Sequence, residues 1–444
     1  MSAVSEVFKK GNDIMEPLKR FEISEIKGDA EGVLAVGDLR LNRGKAQGIF
    51  RPGILSLLHD KGLSMANLEC PINSGGVPIP KTGANLVSSE EAVEVLKHGG
   101  FDIAVLANNH IMDFGEGALA ATISLCQKSG IKTVGAGTNL ECANQPLFFS
   151  LKQAKIAILG FTQEEFSIAG DATAGAAKLE PMAVWRAIRK IRPIADVVIV
   201  SVHGGIEFYP LPTPKTQDLY RFIVECGADA VIGHHPHILQ GVEIYRGAPI
   251  IYSMGNFLFE FEYKAPPCWS KGLVVKLLVN DKKIRAVEVF SCAQKLDENK
   301  NIVYVDVLPF SEYASMTHQF ERLCQISADT SLVSEFWECF CVYKENEYIG
   351  LLKSCLASLP GNAKELAKRM IRNRLPFYLL NLMGDHLNKL IRGKKNIDKD
   401  MLLLKNLFAC PAHYEVLSSI FAMKRFNITP KSEIWQEFEN LMEF

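Results

Sequence analysis

The sequence predicts an α/β fold with an all-helical C-terminal extension. Apolar runs such as 33–36 and 63–68 alternate with helical passages such as 88–98. Alternation of this kind is typical of a sheet with helices packed on its faces. Beyond about residue 311 the periodicity is helical, with passages at 332–344 and 350–359 among others. The predicted units are a leader (1–30), an α/β domain (31–308) and a helical domain (309–444).

The composition excludes several classes of protein. Lys and Arg number 49 and Asp and Glu number 50, so the net charge of −1 gives no support for a nucleic-acid partner. The sequence lacks an amino-terminal signal-peptide core and contains no apolar run near the roughly 20 residues of a membrane span. The 11 cysteines are odd in number and form no CxxC pair, which suits a reducing compartment. We therefore expect a soluble, cytoplasmic protein.

Four histidines follow two apolar runs in the centre of the chain, where strands of a parallel sheet would end. They are His203 after the run 197–202, and His234, His235 and His237 after the run 228–232. A single histidine at a strand end is more often a structural residue than a ligand. Four within one βαβ-sized segment favour a metal site, because open α/β sheets bind ligands at the carboxyl ends of their strands.

Oxygen ligands follow other predicted strands. Asp38, Glu69 and Asn109 each stand within two residues of the end of an apolar run, although Asp38 alone is equally well explained as a cap. A mixed oxygen and nitrogen set suits Mn, Fe or Zn. Six ligands are too many for one ion that keeps a water site open, so they predict two divalent ions bridged by one carboxylate. The six are Asp38, Glu69, Asn109, His203, His235 and His237.

Catalytic roles are predicted beside these ligands. His110 follows Asn109 directly, so it could protonate a leaving group as a general acid. Asp38 would contribute to catalysis through a bound ion, because a two-metal centre lowers the pKa of a bridging water and holds the oxygens of a group under attack.

Other polar residues are candidates for substrate binding. Arg43 and Asn256 could orient an anionic substrate, although an arginine is more often a surface residue. Glu207 could contact His203, bind substrate, or serve only as a capping or surface residue. His234, next to the predicted ligands, is also a candidate substrate contact.

The helical domain contains a basic amphipathic segment at 364–395. Such a segment can lie on an anionic membrane, but its charges are more often the solvated faces of helices, and Pro376 divides it. The same domain is a candidate surface for a protein partner or for a homo-oligomer.

Eight motifs support a resemblance to a known family. In order they are VGDLRLNRG, NLECPI, LANNHIMDFGEGAL, VGAG, IAILGFT, VHGGIEFYP, GADAVIGHHPH and IIYSMGNFLFE, within about residues 33–260. The chain resembles the CapA family of poly-γ-glutamate capsule proteins, a branch of the calcineurin-like metallophosphoesterases. The resemblance implies a four-layer α/β/β/α sandwich with a dinuclear metal site, and it leaves the helical domain uncovered.

The resemblance also implies roles for single residues. It makes Asp38, Glu69, Asn109, His203, His235 and His237 the metal ligands and His110 the general acid. The chain departs from the superfamily's D-x-H motif, because Asp38 is followed by Leu39 and Arg40, so one metal position is expected to bind weakly or to stay empty.

Three functions follow from the resemblance. The first is a metal-dependent hydrolase or transferase that acts on an amide or phosphoester bond of an anionic substrate in the synthesis of a capsule or other cell-surface polymer. The alternatives are a non-catalytic accessory subunit of a polymer-synthesising complex and a plain phosphoesterase.

Overall fold

The computed structural model describes residues 16–73, 75–152, 154–261, 267–298, 301–308, 310–357 and 399–442. Within these residues two sheets lie at the centre and a group of helices lies at the C-terminal end. The predicted basic segment at 364–395 lies outside the described residues.

The first sheet has nine described strands in the order β1-β16-β15-β2-β3-β4-β5, with β14 beside β2 and β17 beside β16. Strands β2 to β5 and β14 run parallel, whereas β1 and β15 to β17 pair antiparallel. The strands are β1 (Lys19–Glu22), β2 (Glu31–Arg40), β3 (Leu63–Leu68), β4 (Ile103–Val105), β5 (Lys132–Val134), β14 (Asn256–Phe259), β15 (Lys271–Asn280), β16 (Lys283–Leu296) and β17 (Ile302–Val307).

The second sheet has six described strands in the order β12-β13-β11-β10-β8-β7, of which β8, β10, β11 and β13 are parallel. They are β7 (Leu147–Ser150), β8 (Lys155–Thr162), β10 (Val197–His203), β11 (Ala230–His234), β12 (Val242–Tyr245) and β13 (Ala248–Ile251). Two short strands, β6 (Ala136–Gly137) and β9 (Gly175–Ala176), pair separately.

Helices cover the outer face of each sheet and form the C-terminal region. Those of the α/β part are α1 (Pro52–His59), α2 (Glu91–His98), α3 (Gly115–Lys128), α4 (Leu140–Ala143), α5 (Pro181–Ile191) and α6 (Pro214–Glu225). Those of the C-terminal region are α7 (Phe310–Ala328), α8 (Thr330–Ala357), α9 (Lys399–Ala409), α10 (Pro411–Phe426) and α11 (Ser432–Met442). Among the described helices none is long and apolar enough to cross a bilayer.

Alternation along the buried strands produces four layers. In β2, Val33 and Ala35 face a core shared by the two sheets, whereas Leu34 and Val36 face a core that includes residues of α1, α2 and α3. In β10 the residues alternate in the same way between the shared core and a core that includes residues of α5 and α6. Successive side chains of a strand point to opposite faces, so each strand is apolar on both. The predicted α/β/β/α sandwich is confirmed.

The C-terminal helices pack on the loop that follows β10. Ile206, Tyr209 and Leu211 of this loop join a core with apolar residues of α7 to α11. Buried Glu415 of α10 accepts hydrogen bonds from Thr213 Oγ1 (2.7 Å) and from the backbone N–H of Lys215 (3.1 Å). The helical region is therefore attached close to the edge of the sheet where β10 ends.

Several local predictions differ from the structure in extent. The segment predicted as a leader contains β1, which pairs with β16. The passages 332–344 and 350–359 belong largely to one continuous helix, α8, because Tyr348 between them is buried against the core of the helical region. A tight two-residue hairpin joins β15 to β16, and both Asp281 and Lys282 have positive φ, as such a turn requires.

Candidate metal centre

Strand register brings the predicted ligands to one edge of the molecule. Asp38 lies near the carboxyl end of β2, and Glu69 directly follows β3. His203 and His234 end the neighbouring strands β10 and β11, where they are paired in register. The carboxyl ends of parallel strands in both sheets therefore face a common site, as in other open α/β sheets.

One group of donors surrounds His203. Its Nε2 lies 3.0 Å from Asn109 Oδ1, 3.2 Å from His235 Nδ1 and 3.9 Å from Glu69 Oε1. Asn109 Nδ2 donates a hydrogen bond to Glu165 Oε2 (3.1 Å), which turns the amide oxygen of Asn109 toward the imidazoles. These four side chains, Glu69, Asn109, His203 and His235, form the first donor set.

A second group surrounds His237 and shares Glu69. His237 Nε2 lies 3.5 Å from Glu69 Oε1, and its Nδ1 lies 3.4 Å from Asp38 Oδ2. Asn256 Oδ1 is 3.0 Å from the same Nδ1, so it can accept the Nδ1 proton and leave Nε2 free to act as a ligand. Asp38, His237 and Glu69 form the second donor set.

The residues fit divalent metal ions. Glu69 is fully buried, and neither carboxylate oxygen has a hydrogen-bond partner among the described residues. Buried polar atoms are almost always satisfied, so an orphaned carboxylate that faces imidazoles fits a bound cation. Two ligand atoms, each about 2.1 Å from one ion, lie about 3.0–3.4 Å apart. His203 Nε2 lies at such a distance from Asn109 Oδ1 (3.0 Å) and from His235 Nδ1 (3.2 Å), and the 3.5 Å between His237 Nε2 and Glu69 Oε1 is close to it. Their oxygen and nitrogen donors suit Mn, Fe or Zn.

The two carboxylates differ in their pKa. Burial raises the pKa of Glu69 well above its ordinary value, and the charges of Asp38 and Glu207 add to the shift. Burial also acts to raise the pKa of Asp38, but the hydrogen bond from His234 and the charges of the histidines outweigh it, so the pKa of Asp38 is lowered. Burial and the neighbouring His235 hold the pKa of His203 well below its usual range, so its ring is a neutral potential ligand.

Polar contacts and backbone strain fix the orientation of the candidate ligands. Asp38 Oδ1 accepts a hydrogen bond from Asn67 Nδ2 (2.8 Å) and lies 2.9 Å from His234 Nδ1. His235 and His237 have φ of 97° and 58°, a left-handed conformation that is uncommon outside glycine. Strain of this kind concentrates at functional sites, where the surrounding structure must hold it in place.

His110 lies at the entrance of the cluster in a charged network. Its Nδ1 is 2.6 Å from Asp113 Oδ2 and 3.1 Å from Lys81 Nζ, while its Nε2 is 4.0 Å from Glu69 Oε1. Lys81 Nζ donates to Asp113 Oδ1 (2.6 Å). Burial and the charge of Lys81 lower the pKa of His110, whereas Asp113 acts to raise it. Nε2 is therefore the nitrogen that faces Glu69 and the other candidate ligands.

The cluster opens into a cavity of about 560 Å³. Asn109, His110, Glu207, His235 and His237 line it, so these sequence-predicted residues are brought together. His234 and Asn256 are buried behind the candidate ligands, where they contact Asp38 and His237 respectively. Arg43 is exposed and is not part of the described lining, although its backbone N–H donates to Glu260 Oε2 (2.9 Å).

Sequence reasoning missed several residues of the site. Lys81 and Glu165 come from loops without a motif, so only the folded chain brings them to His110 and Asn109. Asp113 had a signal, since it stands three residues after His110. Arg40 is buried, lines the cavity, and donates to the carbonyl oxygen of Glu260.

The two packed sheets and the candidate ligands at their strand ends define a four-layer α/β/β/α protein with a candidate metal centre. The sequence profile of the family described as bacterial capsule synthesis protein PGA_cap matches residues 32–261. The chain belongs to this family.

Curated relatives match over part of their length. The chain is 34% identical to capsule biosynthesis protein CapA of Bacillus anthracis over 182 residues, which cover 40% of this chain and 44% of the relative. It is 35% identical to PGA biosynthesis protein CapA of Bacillus subtilis over 179 residues, or 40% and 47% of the two chains. A probable polyglutamine synthesis accessory protein of Mycobacterium tuberculosis is 30% identical over 176 residues, or 36% and 46%. The chain thus spans about half the length of these relatives.

Solved structures overlap only loosely. A putative 5′-nucleotidase from Staphylococcus aureus has a TM-score of 0.35 and 13% identity, and the overlap covers 66% of this chain and 58% of that one. A hypothetical protein from Thermus thermophilus has a TM-score of 0.41 and 14% identity, covering 59% and 98%. Overlaps this loose carry no argument about activity.

Proposed function

We propose that the protein is a metal-dependent hydrolase or transferase that uses two divalent ions, Mn, Fe or Zn, in the synthesis of a capsule or other cell-surface polymer. The observation that carries this proposal is the position of Glu69. Its buried carboxylate has no hydrogen-bond partner among the described residues and lies 3.5–4.0 Å from imidazole nitrogens of His237, His203 and His110. A carboxylate between two donor sets is the arrangement expected of a bridging ligand.

The bound ions would activate a water molecule and polarise the group under attack. The chain's own residues would position the substrate and supply the proton. His110, as the imidazolium, donates a hydrogen bond from Nδ1–H to Asp113 and presents its Nε2 proton to the leaving group. Lys81 holds Asp113 in place and increases the acidity of His110 through its charge.

The proposed substrate is an anionic amide or phosphoester. Lys81 and Arg40 supply positive charge to the cavity, and bound ions would add more. The relatives named for capsule and poly-γ-glutamate synthesis support a polymer of that kind. Glu207, exposed at the cavity wall, is placed to contact a cationic or hydroxyl group of the substrate.

The experiment is a comparison of wild type and His110→Ala after loading with Mn, Fe or Zn. Hydrolysis of a set of phosphoesters and γ-glutamyl amides would be measured together with the metal content. Loss of a general acid typically lowers the rate about 10²–10⁴-fold, so we expect that loss with unchanged metal content. Full activity in His110→Ala would contradict the assignment of the acid.

A second candidate is a non-catalytic accessory subunit. The buried guanidinium of Arg40 lines the cavity two residues after Asp38, and a fixed cation there opposes a second metal ion. The Mycobacterium tuberculosis relative is named as a probable accessory protein. This candidate predicts that His110→Ala leaves polymer synthesis in cells unchanged, whereas the enzyme predicts its loss.

A further inference from the structure

The C-terminal helical region contributes part of the wall of the metal-site cavity. Lys344 and Tyr348 of α8, Asn406 of α9 and His413 of α10 line the cavity beside the metal ligands. The family match ends at residue 261, well before these helices begin. Any contact they make with a substrate therefore belongs to this chain's own extension, outside the part that carries the metal ligands.

The extension is held firmly against the α/β domain next to the metal centre. Tyr209 packs against Phe340 of α8 with ring centroids 4.4 Å apart. At the start of α10, Cys410 Sγ lies 3.6 Å from Glu165 Oε1, and the other oxygen of Glu165 accepts the hydrogen bond from Asn109. One carboxylate thus separates a metal ligand from the helix that carries His413.

An imidazole and a cation occur at this wall. Tyr348 is 5% exposed, and its hydroxyl lies 2.8 Å from His413 Nδ1. Burial raises the pKa of the phenol. The donor in this pair is set by the tautomer of His413: when the Tyr348 hydroxyl donates to Nδ1, the imidazole carries its N–H on Nε2. Lys344 Nζ lies 2.7 Å from Glu347 Oε2 in a partly exposed pair, which is weak enough to exchange its partner.

We propose that Lys344 and the Tyr348–His413 pair form a subsite that binds an anionic group of the substrate, a carboxylate or a phosphate, at the wall of the cavity built by the helical region. The subsite adds a substrate-binding element to the proposed function, and it rests on that proposal for the reaction at the metal centre. An anion bound between Lys344 Nζ and an N–H of His413 gains charge-assisted hydrogen bonds. The helical region would then select substrates that carry a second charged group beyond the reacting one.

The test measures binding directly and does not depend on turnover. The full-length protein would be titrated by calorimetry with a γ-linked glutamate trimer and, separately, with inorganic phosphate. The variants are Lys344→Ala, His413→Gln and Tyr348→Phe. Lys353→Ala on α8 and His318→Gln on α7 are exposed controls that do not line the cavity. Metal content and circular dichroism would be recorded for each protein.

We expect Lys344→Ala and His413→Gln each to weaken binding of at least one probe about tenfold, the usual effect of losing one hydrogen bond to a charged group. Tyr348→Phe should have a smaller effect, and the controls should have none. Glu347→Gln should tighten binding, because it removes the competing partner of Lys344. A loss confined to one probe supports the subsite and identifies its anion.

Wild-type affinity for both probes in Lys344→Ala and His413→Gln, with an intact fold, would overturn the subsite. That result leaves the metal centre untouched if metal content is normal. The opposite result has two parts: the wild-type protein binds the trimer but no metal, and the variants lose trimer binding. That result would refute the proposed chemistry and support the subsite.

Discussion

Replacement of Glu69 by glutamine is expected to stabilise the metal-free protein. Glu69 is 0% exposed, and neither of its oxygens has a hydrogen-bond partner among the described residues. A buried polar group without a partner costs about 1–3 kcal/mol, and more when it is charged. Glutamine has nearly the same shape, carries no charge, and offers N–H donors to the imidazole nitrogens around it. The unfolding free energy of Glu69→Gln should therefore exceed that of wild type by about 1–3 kcal/mol.

The difference in unfolding free energy between Glu69→Gln and wild type depends on pH and on bound metal. The folded pKa of Glu69 is raised, by burial first, above its unfolded value of about 4.3. The folded protein therefore holds this proton more tightly, and the associated stability is fully present below the unfolded pKa and lost as pH rises through the folded pKa. The stabilisation by Glu69→Gln should be largest at alkaline pH. With metal at 100 times its Kd, wild type gains about 2.7 kcal/mol and the variant gains little, so the advantage of the variant should fall by about that amount.

Urea unfolding at several pH values, with chelator and with added metal, measures both effects. Glu260→Gln is the matched control, since Glu260 is also buried but accepts backbone hydrogen bonds from Asn42 (2.8 Å), Arg43 (2.9 Å) and Gly44 (3.0 Å). That variant should lose stability with or without metal. A metal-free Glu69→Gln that is less stable than wild type at alkaline pH would refute the reasoning.

Three further predictions concern the acid, the ligands and the helical region. Asp113→Asn should lower kcat about 100-fold and move the basic limb of the pH-rate profile to lower pH. Burial lowers the pKa of His110 and Asp113 opposes that shift, so the pKa falls further without Asp113. Burial lowers the pKa of His203, so its stability contribution is present above about pH 6.5 and lost as pH falls through the folded value; urea unfolding of metal-free His203→Asn should show a flatter acid limb. Glu415→Ala removes the acceptor of Thr213 and should accelerate limited proteolysis of the helical region.

Local patterns explain why much of the fold was predictable. The strands at 33–36 and 63–68 are apolar on both faces because helices cover one side and the second sheet covers the other. Long-range packing explains the differences. The polar stretch inside α8 predicts a break between two helices when it is considered alone. The helix continues through it because Tyr348 packs into the core of the helical region.

The site divides in the same way. Strand-end histidines and carboxylates could be recognised because parallel strands deliver their ends to one edge. The sequence did not indicate Arg40 as a cavity residue, because the predicted strand ended at residue 36. In the structure β2 extends to residue 40, which places the Arg40 side chain on the same face as Asp38. Loops and a helix distant in sequence bring three further residues to the cavity, Lys81, Glu165 and His413. Their local sequence contains no pattern that predicts this position.

Metal content tests the central claim most directly. Elemental analysis of protein purified without a histidine tag would compare wild type with the double variant His235→Ala/His237→Ala, which removes one ligand from each donor set. We predict near-stoichiometric Mn, Fe or Zn in wild type and its loss in the variant. Wild-type protein that stays free of metal after incubation with these ions would contradict the account.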